Sequence, residues 1–229
     1  MTEVEQKIKD YFLNYEPIWC AISQSTTAKL SKHLVTTHYK KNDIIYREGT
    51  FPRGLYIIKS GIAKLHFINA DGKEQIVYML NKNEMYGYRS LFTESPSLFY
   101  ITAITNCEID VIDKDNFLKT IRESQDLNAY FMKILALEFR VLFNKFTFFT
   151  LRPITEKIAL SLLILAHKFS DTNPKTIKFP KGEIACYAGT ILETLSRQLK
   201  HLTKIGAIKN NGRIITIENE TLLFEIANL

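Results

Sequence analysis

Lysine and arginine side chains are concentrated near the C-terminal end of this sequence, where together they could neutralise an anionic polymer. Between positions 178 and 213 there are seven basic residues and two acidic ones. A protein that binds a nucleic-acid backbone needs such a local surplus, because each contact with a phosphate releases a condensed counterion. A solvated basic surface with no nucleic-acid partner would have the same composition. The basic residues are Lys178, Lys181, Arg197, Lys200, Lys204, Lys209 and Arg213, and the acidic ones are Glu183 and Glu193.

Residue types that could ligate a metal or carry out catalysis are present, but their spacing suits neither task. Cys20, Cys107 and Cys186 stand alone, with no CxxC pair and no cysteine–histidine pair at zinc spacing. The sequence also lacks the serine-hydrolase elbow, the phosphate-binding loop, the zinc-protease motif and the dinucleotide fingerprint. We therefore predict a protein that holds no metal ion and is not an enzyme.

The length and composition are those of a soluble protein with two domains. The chain has 229 residues, of which 46% are apolar and 24% charged, and its formal net charge is +6. The longest apolar stretch, Ile158 to Ala166, is far shorter than the ~20 residues of a membrane span. The N-terminus lacks the apolar segment of an export signal, and the odd number of cysteines suits a reducing compartment. We expect a cytoplasmic protein.

The first half of the chain is predicted to form an antiparallel β-sandwich or barrel. Two short helices are predicted at its start, over residues 3–15 and from Thr26 to Leu34. From Lys40 to Asp113, short runs rich in isoleucine, tyrosine, valine and phenylalanine alternate with glycine, asparagine and aspartate. The dipeptide Asp71-Gly72 lies between two alternating runs, which is a strong signal for a β-hairpin.

A long helix follows, and its apolar residues fall on two faces. After a short helix from Lys114 to Arg122, the pattern predicts a helix from Asp126 to about Phe149. A helix that is apolar on two faces must be covered on two sides, one by its own β-domain and the other most economically by a second copy of the chain. The alternative is a central helix inside a monomer. The first stripe contains Phe131, Leu135, Phe139, Leu142 and Phe146, which form the predicted dimer interface, and Phe149; the second contains Ile134, Leu137, Val141 and Phe148.

The last third of the chain is predicted to fold as a winged helix-turn-helix. Arg152-Pro153 ends the long helix, and a helix over 155–169 follows. A short helix from Lys181 to Ala188, a turn at Gly189, a longer helix from Ile191 to Ile205 and a hairpin around Asn210-Asn211-Gly212 complete the order. Its small core is predicted to contain Ile184, Ala185, Ala188, Leu195, Leu199 and Leu202.

These elements resemble the cyclic-AMP-receptor/fumarate-nitrate-regulator (Crp/Fnr) family of bacterial transcription regulators. The resemblance runs through IIYREGTFPRGLYIIKSGIAKLHFINADGKEQIVYMLNKNEMYG in the β part and KGEIACYAGTILETLSRQLKHLTKIGAI in the C-terminal part. It implies an α+β fold with a cyclic-nucleotide-binding-like β-roll of the jelly-roll type over 1–125, a long dimerisation helix over 126–150 and a winged helix-turn-helix over 151–229. It also implies a homodimeric regulator that binds a palindromic double-stranded DNA operator, with RNA polymerase as a further partner.

The resemblance assigns DNA contacts to the helix that opens near Ile191. Leu192, Glu193 and Arg197 match the base-contacting positions; a glutamate can accept a hydrogen bond from cytosine and an arginine can donate two to guanine. Glu193 and Arg197 are also spaced to form a surface ion pair. Thr190, Thr194, Lys200 and Arg213 suit contacts with phosphates, although Thr190 could instead cap the helix.

The residues that hold a cyclic nucleotide in this family are largely replaced. Gly87 is kept, but Tyr88 stands where a glutamate binds the ribose, and Ser97-Leu98 stand where Arg-Ser binds the phosphate. A buried phosphate without a cationic partner costs several kcal/mol, so we predict that cyclic nucleotides are not bound in the usual way. The β-domain could instead bind a more apolar ligand, or it could bind no ligand and have a core filled with aromatic side chains. The candidate effector pocket contains Gly87, Tyr88, Arg89, Ser90, Ser97, Leu98, Leu142 and Phe143.

Cofactors found in related proteins are not expected here. An iron–sulfur cluster needs four thiolates, whereas only Cys20 and Cys107 lie in the β-domain. His33, His38 and His66 are the histidines that could ligate haem, but a lone histidine is more often a surface or core residue. Two other functions remain open: a small-ligand-binding regulatory module, cyclic-nucleotide or other, whose output is not DNA binding, and an enzyme.

Overall fold

The protein is described by a computed structural model covering residues 3–229. Its helices are α1 (Glu3–Lys9), α2 (Ile18–Ala21), α3 (Gln24–Ser31), α4 (Tyr88–Thr93), α5 (Lys114–Glu123), α6 (Gln125–Leu151), α7 (Ile154–Phe169), α8 (Lys181–Tyr187), α9 (Leu192–Lys204) and α10 (Glu220–Ala227). Its strands are β1 (Leu34–Tyr39), β2 (Ile44–Tyr46), β3 (Gly54–Ser60), β4 (Ala63–Ile68), β5 (Glu74–Leu80), β6 (Met85–Tyr86), β7 (Tyr100–Ala103), β8 (Cys107–Asp113), β9 (Thr176–Ile177), β10 (Ile208–Asn211) and β11 (Ile214–Ile217).

The chain divides into two compact units. The first, called here the β-roll unit, is Tyr15–Ala136, and the second, the C-terminal unit, joins the described residues up to Asn14 with Leu137–Leu229. The sequence-based division instead places the N-terminal residues with the β-roll and gives the long helix a domain of its own. That three-part division stays a prediction, and its first two positions lie outside the described residues.

Two four-stranded antiparallel sheets form the β-roll unit, as the alternating pattern predicts. Their strand orders are β1-β8-β3-β6 and β2-β7-β4-β5, so consecutive strands repeatedly cross between sheets in the manner of a jelly roll. The hairpin predicted at Asp71-Gly72 joins β4 to β5. Gly72 has a φ of +76°, which a residue with a side chain rarely adopts, and this explains the glycine at that turn.

Strand β3 is buried on both faces over its first five residues. On one face Leu55, Ile57 and Ile112 pack in a core with residues from α2 to α6. On the other face the ring of Tyr56 lies 4.7 Å from that of Tyr86 and 5.9 Å from that of Tyr46 in the opposite sheet. The strand therefore carries an almost continuous apolar run instead of a strict alternation.

Phe131 belongs to the core of the β-roll unit, and its predicted place in a dimer interface is wrong. The side chain is 2% exposed and its ring lies 5.2 Å from Phe117 and 5.5 Å from Tyr88. Leu135, on the same stripe, is partly buried against this core. Periodicity identifies an apolar face, but it does not reveal whether the chain's own domain covers it.

The C-terminal unit is built around α7, whose residues from Ile158 to Ala166 are all buried. This burial accounts for the longest apolar stretch of the sequence. Helix α10, which the sequence analysis did not predict, packs on α7, and His167 pairs with Glu220 across the contact. Helix α1 also packs on α7, and residues 3–229 contain no helix with the length and hydropathy of a membrane span.

Several predicted boundaries shift by a few residues. The first helix ends at Lys9 instead of residue 15, because the amides of Asp10 and Tyr11 donate to carbonyls only three residues back and tighten the turn. The helix predicted from Thr26 to Leu34 corresponds to α3. It begins at Gln24 because the Ser23 hydroxyl accepts a hydrogen bond from the Thr26 amide, and it ends before Leu34, the first residue of β1.

Candidate nucleic-acid interface

Helices α8 and α9 form the predicted helix-turn-helix. Between them Gly189 has a φ of +68°, and the Thr190 amide donates to the Ala185 carbonyl over 3.0 Å, so the chain reverses within four residues. Ile191 is the N-cap of α9, with no side-chain capping bond. The suggestion that Thr190 merely caps the helix is therefore wrong.

One face of α9 supplies the core of this motif. Leu195, Leu199 and Leu202 are fully buried, at the spacing of successive turns on one side of a helix. The six residues predicted for this core are all buried, with none more than 2% exposed. Because the leucine face is fixed inward, the opposite face of α9 must point to solvent.

The outward face of α9 is charged and mainly basic. Glu193, Arg197, Lys200 and Lys204 are exposed along it. No ion pair within 4.0 Å joins Glu193 to Arg197 in the described structure, so the alternative of a surface salt bridge is not realised. Arg197 therefore keeps all its donors for another partner, as contact with a guanine or a phosphate would require.

The start of α9 presents apolar surface and free backbone donors. Leu192 is 51% exposed and Ile191 is 60% exposed, whereas Thr194 is only partly accessible. An exposed leucine beside a base edge can contact the methyl group of thymine but donates no hydrogen bond. The absence of a capping side chain also leaves the first amides of α9 available to an anion.

The wing is a three-stranded sheet at the end of the motif. Strands β10 and β11 form the predicted hairpin, and β9, which the sequence analysis did not predict, pairs with β11. Gly212, with a φ of +63°, and the exposed Arg213 form its tip. The predicted phosphate contact at Arg213 thus lies on an accessible turn.

Two exposed side chains on α9, a histidine and a lysine, were not among the predicted contact residues. His201 lies one turn after Arg197, and Lys204 lies one turn after Lys200. Their spacing of four residues from predicted contacts is a signal that could have identified both.

Helix α8 is anchored to the long helix through Lys145 and Tyr187. The Lys145 ammonium donates to the Tyr187 hydroxyl over 3.0 Å and lies 4.5 Å from the centre of its ring. Burial, together with the smaller effect of the nearby Lys168 charge, lowers the pKa of Lys145 from 10.5 to about 7. This contact fixes the first helix of the motif relative to the last turns of α6.

An exposed apolar strip runs along the part of α6 that belongs to the C-terminal unit. Phe139, Leu142, Phe143 and Phe146, called here the α6 strip, are 72%, 39%, 61% and 69% exposed. The rings of Phe139 and Phe143 are stacked with centroids 6.3 Å apart. Three of the predicted interface residues therefore share one accessible face with Phe143.

The predicted effector residues lie on separate elements of the structure. Gly87, Tyr88, Arg89 and Ser90 form the start of α4, but the Tyr88 side chain is fully buried in the helix-covered core. In the following loop, the Ser97 hydroxyl is bonded to the backbone of Phe99, and Leu98 is 73% exposed. Leu142 and Phe143 belong to the α6 strip of the other unit.

The residues at the family's nucleotide position differ from the usual cyclic-nucleotide contacts. Tyr88 supplies no carboxylate for a ribose, and Ser97-Leu98 supply no cation for a phosphate.

Among the described residues, no group of three or more histidine, cysteine, aspartate or glutamate side chains is arranged to hold a metal ion.

Two family descriptions match successive parts of the chain. Residues 36–124 match the cyclic nucleotide-binding domain, and residues 156–226 match the Crp-like helix-turn-helix domain. The first match covers the strands of the β-roll together with α5, and the second covers α8, α9 and the wing.

Relatives and solved structures resemble nearly the whole chain. A CRP-like cAMP-activated global transcriptional regulator of Mycobacterium tuberculosis is 24% identical, covering 93% of this chain and 97% of its own length. An anaerobic regulatory protein of Bacillus subtilis is 25% identical, covering 94% of each. The structure of FixK2 from Bradyrhizobium japonicum has a TM-score of 0.76 at 21% identity, covering 84% of this chain and 96% of that one.

Proposed function

Because the chain belongs to the Crp/Fnr family and is a DNA-binding transcription regulator, we propose that it acts as a homodimer that recognises a palindromic operator through α9. Family members are transcription regulators and not enzymes. The observation that carries the proposal is the outward face of α9, where Arg197, Lys200 and Lys204 are exposed and Arg197 has no ion pair with Glu193.

The proposed contacts divide into those that recognise bases and those that position the protein. Arg197 donates to a guanine, Glu193 accepts from a cytosine, and Leu192 lies against a thymine methyl group. Phosphate contacts come from Thr190, Thr194, Lys200 and the wing residue Arg213, with Lys204 added because it continues the same exposed face.

The α6 strip supports the proposed homodimer. Four large apolar side chains on one helix face would be costly to leave in water, and burying each one stabilises association by ~1.5–3 kcal/mol. A second copy of α6 offers the same strip and satisfies the symmetry of a two-fold dimer. The two recognition helices would then contact half-sites about one helical turn (~34 Å) apart.

The proposal is tested by selecting bound sites from random DNA and measuring the mass of the protein in solution. We expect a two-fold-related consensus and a particle of twice 26.5 kDa at micromolar concentration. Phe146→Glu should lower the mass to that of a monomer and weaken operator binding. Leu98→Glu, which changes an equally exposed apolar residue of the β-roll unit, should alter neither. A monomeric wild-type protein, or a consensus without two-fold symmetry, would refute the proposed mode of binding.

We also propose that cyclic AMP and cyclic GMP do not regulate this protein in the manner of its relatives. The buried Tyr88 and the uncharged Ser97-Leu98 support this. Calorimetric titration should detect no binding tighter than ~50 μM, which corresponds to about −6 kcal/mol. Tighter binding that Arg89→Ala abolishes would instead indicate a relocated phosphate site. We further propose that the protein acts in the cytoplasm with RNA polymerase as a partner.

A further inference from the structure

A cavity of about 760 Å³ lies in the β-roll unit. It opens between β1 and β2, which are the edge strands of the two sheets and follow one another in the chain. Its lining includes none of Gly87, Ser97 or Leu98. The volume falls within the ~300–1,000 Å³ of sites for small molecules.

The walls of this cavity are aromatic and apolar, and several apolar side chains are exposed there. Val35, Ile44 and Phe51 line it and are 65%, 41% and 62% exposed. Tyr46 and Tyr56, from opposite sheets, lie deeper and are both buried. Exposed apolar side chains that gather in a concave site mark a place where a ligand can bury them.

Two arginines give the cavity a positive charge. Arg47 and Arg53 both line it, and neither guanidinium makes an ion pair or side-chain hydrogen bond with another described residue. The one acidic residue of the lining, Asp113, is already engaged, since its carboxylate accepts from the Asn116 amide at 3.0 Å and side chain at 2.6 Å. Asn116 is neutral, so Asp113 keeps its negative charge, but the two arginines outnumber it and the lining therefore favours an anion.

The cavity is held in shape before any ligand arrives. The Tyr46 hydroxyl donates to the Thr50 carbonyl over 2.6 Å, and the Thr50 hydroxyl donates to the Arg47 carbonyl over 2.6 Å. The Gly49 amide donates to the Ser97 carbonyl over 2.8 Å, and the Ser97 amide donates to the Thr50 carbonyl over 2.9 Å. The loop after β2 is thus bonded to the loop before β7. A loop fixed in this way presents Arg47 with little ordering cost on binding.

We propose that this cavity binds a small organic anion, in which one sulfonate, carboxylate or phosphate group pairs with Arg47 and Arg53 and an apolar or aromatic body lies against Val35, Phe51 and Tyr56. The arginines would supply the charge-assisted hydrogen bonds, and the tyrosine and phenylalanine rings would supply the apolar contact. None of the residues that line the cavity belongs to α9 or to the α6 strip. A negative result at this site would therefore not affect the proposed DNA and dimer contacts.

The test compares two probes with the same rings, anilinonaphthalene sulfonate and the neutral phenylnaphthylamine, which lacks the sulfonate group. Each is titrated into the full-length protein, and binding is followed by the methyl resonances of Val35, Ile44 and Val111, which all line the cavity. We expect the sulfonate to shift these methyl groups and to bind at least about tenfold more tightly than the neutral probe. Residue-resolved shifts separate this site from probe that adheres to the α6 strip.

Matched variants identify the charges responsible. Arg47→Gln combined with Arg53→Gln should weaken the sulfonate at least about tenfold and leave the neutral probe within about twofold. Arg122→Gln removes an exposed arginine of α5 in the same unit and should change neither. Absence of shifts at the three methyl groups, or equal binding of both probes that ignores the double substitution, would overturn the proposal. Operator binding by the double variant should match that of the wild type.

Discussion

Charged side chains have opposite surroundings in the β4–β5 hairpin and on α9. In the hairpin, one carboxylate oxygen of Glu74 lies 2.7 Å from the Lys64 ammonium and 2.8 Å from Nδ1 of His66, and Lys64 and His66 are only 8% and 5% exposed. The other ring nitrogen of His66 lies 2.9 Å from the Thr102 hydroxyl. On α9, by contrast, Arg197 and Lys200 are exposed, and Arg197 has no ion pair with the neighbouring Glu193.

The difference indicates what each set of charges does. Buried charges must be paired, because an unpaired one loses its hydration without compensation, so the Lys64–Glu74–His66 cluster contributes to the fold of the β-roll. Exposed and unpaired cations add little to stability but remain free for phosphates and bases. Substitutions in the hairpin should therefore change unfolding, and substitutions on α9 should change DNA binding.

The largest effect is expected from Glu74→Gln. The substitution keeps the shape of the side chain but removes the carboxylate charge that lies 2.7 Å from the buried Lys64 ammonium, and it should lower the free energy of unfolding by about 3 kcal/mol. Glu108→Gln is the matched control, because Glu108 also faces a lysine and a histidine, Lys59 at 3.8 Å and His38 at 3.7 Å, but its side chain is 39% exposed and both partners are exposed. It should cost less than about 1 kcal/mol in urea unfolding. Equal losses of unfolding free energy in the two variants would contradict the expectation that the more buried cluster contributes more to stability.

Lowering the pH should remove the stabilising contribution of the Glu74 carboxylate from the wild-type protein. The close contact with His66, together with Lys64, lowers the pKa of Glu74 from 4.5 to about 2 against the effect of burial. A carboxyl whose pKa is lowered by folding stabilises the protein fully above its unfolded pKa and loses that contribution as pH falls towards the folded value. The difference in stability between wild type and Glu74→Gln should be constant above about pH 5 and shrink by up to about 3 kcal/mol between pH 4.5 and 2. A difference that stays constant to pH 2 would contradict the assigned ionisation.

Substitution of Arg197 by alanine should affect DNA binding and spare stability. Loss of two hydrogen bonds to a base should weaken the selected operator by roughly 1–3 kcal/mol and relax the preference at one base pair in each half-site. Fluorescence anisotropy with the operator and with scrambled DNA separates specific from general loss, and urea unfolding should be unchanged. An equal loss on both DNAs would assign Arg197 to the phosphates instead.

The sequence was most informative where periodicity and local chemistry act alone. The leucines of α9 and the glycine of the turn before it define the helix-turn-helix core, and every core residue predicted from them is buried. The same reasoning failed for Phe131, because an apolar stripe looks identical whether the chain's own β-roll or a second copy covers it. The α10 helix and strand β9 were missed because their stability comes from packing on α7 and pairing with β11.

Contacts between distant segments could not be predicted from the sequence. Alignment identifies Tyr88 as the replacement for a family glutamate, but only the structure shows that its ring turns into the core. The Lys64–Glu74–His66 cluster depends on a register shift between β4 and β5 that local pattern does not encode. Likewise, Arg47 and Arg53 are unremarkable in sequence, and they gain a shared environment only when the two edge strands enclose a cavity.

The smallest effect is expected from Lys200→Ala, and it concerns the salt dependence of DNA binding more than affinity at one condition. A lysine that neutralises one phosphate releases about one counterion, so its loss should reduce the slope of log affinity against log salt by about 0.9. Operator and scrambled DNA should be weakened alike, because a phosphate contact carries no sequence information. Lys32→Ala removes an exposed lysine of the β-roll unit and should leave the slope unchanged. A slope that Lys200→Ala also leaves unchanged would mean that this face of α9 does not meet the DNA backbone at Lys200. Selective weakening of the operator would assign Lys200 to a base and extend the base-contacting surface by one turn beyond Arg197.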